Sequence, residues 1–431
     1  MEKVCFDNIS DLKKYAVNND ISNIEVYLWS LSNIDIINNI TIFKKIQHLV
    51  CPQTQITEIP KELINISNLN CSVTQITEIP KKLTKLRTLY CNHTQITEIP
   101  KELTNLMTLY CNHTQITEIP KELANLHYLN CWDSKITEIP KELINISILI
   151  CSRTRITEIP KELINISILN CSRTHITEIP KELINLQKLY CSRTQITEIP
   201  MSFINLYTLD CSDTKISEIP KELINIITLD CSNTEISEVP KELINLQELY
   251  CMTTQINEIP KELVNLKILH TNLQITNIPN VLINLQELCC SGSQINEIPK
   301  ELINLETLYC SKTQISEIPN TLIKLRYLKC PQTQITKIPK ELVKLYFLDC
   351  TMTPIIEIPK ELINISSLYC SDSRITEIPY TLDSLKHFNH NYITLEQHKD
   401  NVLRYKNILK DIIKNGNVLN DDVSNLLCSY I

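Results

Sequence analysis

The sequence predicts an α/β solenoid: a curved horseshoe with a parallel β-sheet on its concave face, a 3₁₀ or irregular convex face and a helical terminal cap. Three observations carry this. A 20-residue pattern recurs about seventeen times between Ile46 and Pro379. Within each copy, residues such as Leu69 and Cys71 alternate with polar neighbours as a short strand does. An Ile-Pro pair keeps the same beat from Ile59-Pro60 to Ile378-Pro379, with Val239-Pro240 as its variant, so every strand is followed by a point where the backbone loses a donor and cannot continue pairing.

Taken in order, one unit reads Ile66, Leu69, Cys71, Thr74, Ile76, Ile79, Pro80 and Leu83, with Leu86 opening the next. Alternation turns Leu69 and Cys71 inward and Asn68, Asn70 and Ser72 outward. After Pro80 only Lys81 to Lys85 remain for the return path, too short for an ordinary helix. Such a coil cannot close its core alone; neighbours stacked about 4.8 Å away close it. Each well-buried Leu or Ile then contributes about 1.5 to 3 kcal/mol. Sixteen cysteines share one column, at 51, 71, 91, 111, 131, 151, 171, 191, 211, 231, 251, 290, 310, 330, 350 and 370. Thr271 takes that place in one unit, and the turn after it is a residue short, so a disturbed ladder is expected between Thr271 and Ile275.

These residues resemble the leucine-rich-repeat family over about four fifths of the chain. The 20-residue period with an Ile-Pro pair looks most like the short repeats of bacterial effector proteins. The Ile, Asn and Lys bias with a cysteine column is also similar to repeat proteins of giant viruses of amoebae. The resemblance implies an α/β leucine-rich-repeat solenoid that binds a macromolecule, without saying which. Family members usually carry Asn where this chain has Thr54, Thr74 and Thr94, or Ser134, Ser293 and Ser373. Hydroxyls are therefore expected to bond the turn backbone in place of an asparagine ladder.

Three regions follow. Residues 1–45 form an N-terminal cap with a degenerate first coil, in which Ser10 caps a short helix and Ile21, Ile24, Val26, Leu31 and Ile34 echo the repeat. Residues 46–393 form the array with a degenerate last coil. Residues 394–431 form a C-terminal cap, with Val402, Tyr405, Leu409 and Ile412 on one helical face, Gly416 ending that helix and Asn420 opening a second that carries Val423, Leu426 and Leu427.

A net charge of −7 argues against nucleic acid as a partner, and no apolar run long enough to span a membrane is present. The start of the chain lacks a secretory pattern, so an intracellular protein is expected, in the host cytoplasm if it is viral. The cysteines read as reduced core residues, not disulfides. Cys91-Asn92-His93 and Cys111-Asn112-His113 have ligand-like spacing, but the expected geometry turns the cysteine inward and lets the histidine reach the rim, so neither metal nor cofactor is expected. Cys428-Ser429-Tyr430-Ile431 fits a buried cap better than a lipid-attachment signal. Too few residues follow the array for the ubiquitin-ligase domain of some bacterial effectors, and no catalytic motif is visible; the chain reads as a non-enzyme. Glu98, Lys101 and Glu102 repeat monotonously and read as a solvated face.

Specificity requires outward side chains that vary, and the position before each cysteine does vary. Tyr90, Tyr110, Tyr190, Tyr250, Tyr309 and Tyr369 stand there with Asp210 and Asp230, and Trp132 follows its strand cysteine. Arg153, Arg155, Arg173, His175, Lys188 and Arg193 form a basic run that precedes an acidic one at Asp210, Asp213, Asp230, Glu235 and Glu248. The function expected is that of an intracellular scaffold gripping a protein partner on the concave sheet, with a ubiquitin-ligase substrate adaptor as the alternative.

Overall fold

The computed structural model describes residues 2–271, 273–391 and 393–415, and these fall into two compact units, Met1–Ile226 and Ile227–Ile431. In the first, β1 (Glu2–Phe6) pairs in parallel with β2 (Ile24–Leu28), and β2 with β3 (His48–Val50). From there each three-residue strand pairs with the one a repeat later, Leu69 opposite Leu89 and Leu89 opposite Leu109, as far as Thr208–Asp210. The second unit repeats the arrangement from Thr228–Asp230 to His387–Asn389 and closes with a helix at Leu395–Asn415.

The burial pattern follows from alternation. Leu69, Cys71, Ile76, Ile79, Leu83 and Leu86 are buried, and so are their equivalents in later repeats. Asn68 and Asn70 face outward, but Ser72 is buried: the chain has already begun to turn, and the Asn70 side chain accepts the Ser72 N–H at 3.1 Å. The return path has no helix. Leu83 N–H donates to the Pro80 carbonyl and Leu86 N–H to that of Leu83, each a single tight turn. Glu98, Lys101 and Glu102 are exposed there.

Hydroxyls do replace the expected asparagine ladder. Thr74, Thr94, Thr114 and Ser134 each donate to the carbonyl of the cysteine three residues earlier, at 2.6 to 2.7 Å. An asparagine ladder exists as well, in another column. The amides of Asn105, Asn125, Asn145 and Asn165 donate to the carbonyls of Thr84, Thr104, Ala124 and Ile144 in the preceding repeat. Where the asparagine is missing, Lys85 donates to the Asn65 side chain instead, at 2.8 Å.

Two residues after each column cysteine the backbone turns left-handed. Gln53, Val73, His93, Arg153 and Asp213 have φ of 59°, 58°, 53°, 56° and 55°, and Gly292 has 75°. This conformation costs a residue with a Cβ about 1–2 kcal/mol. It lets the N–H at that position reach forward, as Val73 does to the Asn92 carbonyl at 2.8 Å.

The expected disturbance at Thr271 is confined to the turn. Leu269 stays opposite Leu249 and Leu288, and Thr271 N–H still donates to the Cys289 carbonyl at 2.8 Å. The shortening instead carries Leu273 outward, so close to Gly292 that a Cβ there would lie 3.0 Å from Leu273 Cδ2. The Thr271 hydroxyl is buried with no hydrogen-bond partner among the described residues. Thr271→Val keeps the shape and removes that orphan, so a gain of about 1–2 kcal/mol is expected in denaturant unfolding. Hydrogen exchange across residues 270–279 should be faster than in flanking repeats in the wild type, and slower in the variant; a destabilised variant would show that the hydroxyl has a partner.

The terminal segments explain their helices by length. The pairing of β1 with β2 spans 22 residues and that of β2 with β3 spans 23, leaving room for α1 (Ile9–Asn18), α2 (Asn33–Asn38) and α3 (Ile40–Phe43). The cap of α1 is Asn8, whose side chain accepts from Ser10 and Asp11 N–H, not Ser10 itself. Ile21, Ile24, Val26 and Leu31 are buried, whereas Ile34 is exposed on α2. At the other end, Thr394 and Gln397 cap α4 (Leu395–Asn415) reciprocally. His398 and Val402 are buried beneath it, and Lys406 meets Asp383 at 2.7 Å. The side chains of Leu409 and Ile412, and the expected Gly416 stop, second helix and Cys428, lie outside the described residues.

Candidate functional site

The column before each cysteine holds two kinds of residue with different duties. Where it is Asn or Asp, the side chain folds back onto the turn: Asn130 accepts from Trp132 N–H, Asn170 from Ser172 N–H, and Asp210 from both the N–H and the hydroxyl of Ser212, the latter at 2.7 Å. Asp230 does the same to Ser232 N–H. These carboxylates brace the backbone. Where the column carries tyrosine, no such brace forms and the ring is free to pack along the sheet.

In the first unit this builds a row. Tyr90 stacks on Tyr110 with centroids 4.5 Å apart, and Tyr110 on Tyr128 at 4.6 Å. Tyr128 lies two residues before the usual column on the same outward face, a position that strand alternation alone could have identified. Burial within the stack, then the hydrogen bond with Tyr128, pushes the Tyr110 hydroxyl up to about 12.

A second row runs along the turns beside it. His93 stacks on His113 at 4.2 Å, Trp132 meets His113 edge-on at 4.3 Å, and the Arg153 guanidinium lies 5.7 Å from the Trp132 ring. His93, Arg153 and Arg173 all occupy left-handed turn positions, which is why they project from one rim in successive repeats. Two neighbours are already occupied: His113 Nδ1 contacts Asp133 at 2.8 Å, and Arg193 Nε pairs with Asp213 at 2.9 Å. Between them, Arg153 and Arg173 have no carboxylate within ion-pair distance among the described residues. Arg155 and His175 are exposed on the same turns, and Lys188 lies over Tyr207 at 5.4 Å. Tyr190 is half-buried on its strand.

In the second unit Tyr250 meets His270 edge-on at 4.8 Å, and His270 Nε2 contacts Glu287 at 2.8 Å. Tyr369 packs loosely on Phe347 at 5.6 Å, and Tyr309 is half-buried on its strand between Cys289 and Lys329.

The cysteine column belongs to the core. Cys71 and Cys91 donate their thiols to the Tyr90 and Tyr110 carbonyls at 3.4 and 3.3 Å, the carbonyls that also accept their backbone N–H groups. Desolvation pushes the thiols of Cys71 and Cys171 up to about 12, leaving almost no thiolate at neutral pH. His93 is exposed whereas Cys91 is buried, and no group of three metal-capable side chains forms among the described residues. Every cysteine described is free; Cys5 is exposed and Cys289 half-buried. Brief treatment of the native protein with a maleimide should therefore modify Cys5 and Cys289 and spare the column, while denaturation should expose all nineteen thiols to labelling. Rapid native labelling at Cys171 would contradict this packing.

No family model and no curated protein matches the chain. Solved structures do. The functional domain of InlJ from Listeria monocytogenes, which includes a cysteine ladder, is 25% identical with a TM-score of 0.65, over 70% of this chain and 71% of that one. The chain is a leucine-rich-repeat solenoid. A leucine-rich-repeat protein of Leptospira interrogans matches over 90% of this chain and all of its own length, at 23% identity and a TM-score of 0.60. YopM from Yersinia enterocolitica matches at 20% identity and a TM-score of 0.61, over 80% of this chain and 87% of that one. The leucine-rich-repeat scaffold accounts for the inward columns; the aromatic and arginine rows lie outside them. No helix among the described residues is long and apolar enough to cross a membrane.

Proposed function

We propose that this leucine-rich-repeat chain is a protein-recognition scaffold whose first unit docks an acidic segment of a protein partner across the two outward rows. The observation that carries the reading is the continuous contact from His93 through His113 and Trp132 to Arg153, beside the Tyr90–Tyr110–Tyr128 stack. Stacked rings are pre-ordered and lose little freedom on binding, so they make good anchors. Arg153 and Arg173 supply forked donors suited to carboxylates, and their neighbours' carboxylates are engaged elsewhere. Arg155, Tyr190, Arg193 and Asp210 flank this centre, while Asp230, Tyr250, Tyr309 and Tyr369 belong to the second unit and would offer a separate contact surface there. A role inside a cell fits the reduced cysteine column.

The test uses the full chain as bait in cell extract, then measures binding kinetics of a captured protein. Arg153→Glu with Arg173→Glu should slow association at low salt by about tenfold or more, and Tyr110→Ala with Trp132→Ala should hasten dissociation. Neither pair belongs to the inward column, so circular dichroism should be unchanged. Unaltered kinetics in both variants would place the interface elsewhere. Capture of ubiquitin-ligase subunits through residues 1–45 would favour an adaptor, and turnover without a partner would favour an enzyme.

A further inference from the structure

The edge of the sheet opposite the cysteine turns, where each return path re-enters its strand, opens into a groove at two places. In the first unit it is lined by Asn165, Ser167, Asn185, Gln187, Asn205 and Tyr207, a neutral set. In the second unit the equivalent positions form a groove of about 730 Å³, within the range of small-ligand sites. Its character is different. Lys324, Arg326, Lys344 and Lys386 line it against one carboxylate, Glu306, with Tyr346, Asn364, Ser366 and Ser384 between them. Four cations converge here in a chain whose net charge is −7.

Ser366 sets the groove apart a second time. It is 3% exposed and its hydroxyl has no hydrogen-bond partner among the described residues. Its counterparts in the first unit are satisfied: Ser67, Ser147 and Ser167 donate to the carbonyls of Gln47, His127 and Ser147 one repeat back. The Tyr346 carbonyl in the corresponding place accepts two backbone N–H groups, from Ser366 and Ser367. The carbonyls that serve its counterparts carry the same pair of backbone bonds, yet the Ser366 hydroxyl stays a buried, unpaired donor among the residues that line the groove, a state that costs stability.

We infer that this groove binds a phosphate monoester. A dianionic group with three terminal oxygens matches what the walls offer: a forked guanidinium from Arg326, ammonium groups from Lys344 and Lys386, that of Lys324 held beside them on Asn304 at 2.7 Å, and the hydroxyl of Tyr346. A single carboxylate would leave most of these cations unmatched. Ser366 and Ser384, small among long neighbours, leave the space in which the group sits. Small phosphorylated molecules and phosphorylated protein side chains share this chemistry.

The full chain is titrated by calorimetry with O-phosphoserine, with a phosphoserine peptide, with the same peptide unphosphorylated and with a single-stranded DNA oligomer as a diester control. Both phosphomonoesters should bind and the unphosphorylated peptide should not. Arg326→Gln with Lys344→Gln should weaken binding by about tenfold or more, since each removes a charge-assisted bond. Glu306→Gln should tighten it, a gain that loss of folding cannot mimic. Free phosphoserine binding as tightly as its peptide identifies a small molecule as the source; a peptide bound about tenfold more tightly identifies a protein side chain. Absence of heat for every phosphomonoester up to about 10 mM overturns the inference, as does equal binding of the diester, or variants that match the wild type.

Discussion

Between pH 9 and pH 12 the folded chain is expected to lose stability steeply. The cause is the cysteine column. Burial pushes the thiols of Cys71, Cys171, Cys251, Cys310 and Cys370 from 9.0 up to about 12, and moves those of Cys91, Cys111 and Cys131 well above the ordinary value. Above pH 9 the unfolded chain releases these protons while the folded chain keeps them. The unfolded state then binds fewer protons, so the unfolding free energy falls as pH rises. The stabilisation is complete below pH 9 and gone once the pH passes the folded value near 12. Each such thiol contributes a slope of about 1.4 kcal/mol per pH unit inside that window, and the slopes add along the column. Denaturant midpoints measured from pH 8 upward should fall accordingly, and thiolate absorbance should appear together with loss of β-structure. Cys171→Ala should be less stable at pH 7 yet lose less between pH 9 and pH 12. Thiolate forming near pH 9 in a still-folded protein would refute the account.

Opposite substitutions at Val73 should move stability in opposite directions. Its φ of 58° is unfavourable for a β-branched residue, and its side chain is 47% exposed, so little packing is at stake. Val73→Gly relieves about 1–2 kcal/mol of backbone strain and gives back about 0.5–1 kcal/mol through added freedom in the unfolded chain, a net gain below about 1.5 kcal/mol. Val73→Pro cannot adopt a positive φ and deletes the N–H that donates to Asn92, so a loss of about 3 kcal/mol or more is expected. Chemical unfolding of the three proteins should order them Gly, Val, Pro. A proline variant as stable as the wild type would mean that the left-handed turn is not needed.

That turn also shows where the amino-acid sequence stops speaking. Inward columns such as Leu69, Cys71 and Ile76 are legible because burial selects one kind of side chain each time, and repetition makes the selection visible. The left-handed position is filled by Gln53, Val73, His93, Arg153 and Asp213 without preference, since hydrogen bonds from the neighbouring repeat impose the geometry whatever the side chain. Only Gly292 hints at it. The asparagine column at Asn105, Asn125 and Asn145 was legible as a pattern but not as a ladder, because its acceptor lies 21 residues away. The same limit applies to the surface. Tyr90 and Tyr110 announce themselves as outward aromatics, whereas the His113–Trp132–Arg153 contact and the spare Ser366 hydroxyl depend on which rotamers meet across repeats.

Because the thiol and strand bonds run 19 residues forward and the asparagine bonds 21 residues back, they depend on the period and not on which copies are neighbours. Excising residues 151–170 would set the repeat of Cys131 against that of Cys171 with each donor still meeting its acceptor. An array of this kind can lengthen or shorten by unequal recombination of its coding sequence in steps of twenty residues, with no repair elsewhere. A one-residue deletion is another matter. The one present after Thr271 faces a turn that carries Gly292, where a Cβ would crowd Leu273. Whole-unit slippage therefore leaves these bonds intact, whereas a one-residue step shifts a side chain out of its column and against the neighbouring turn, as Leu273 against Gly292 shows.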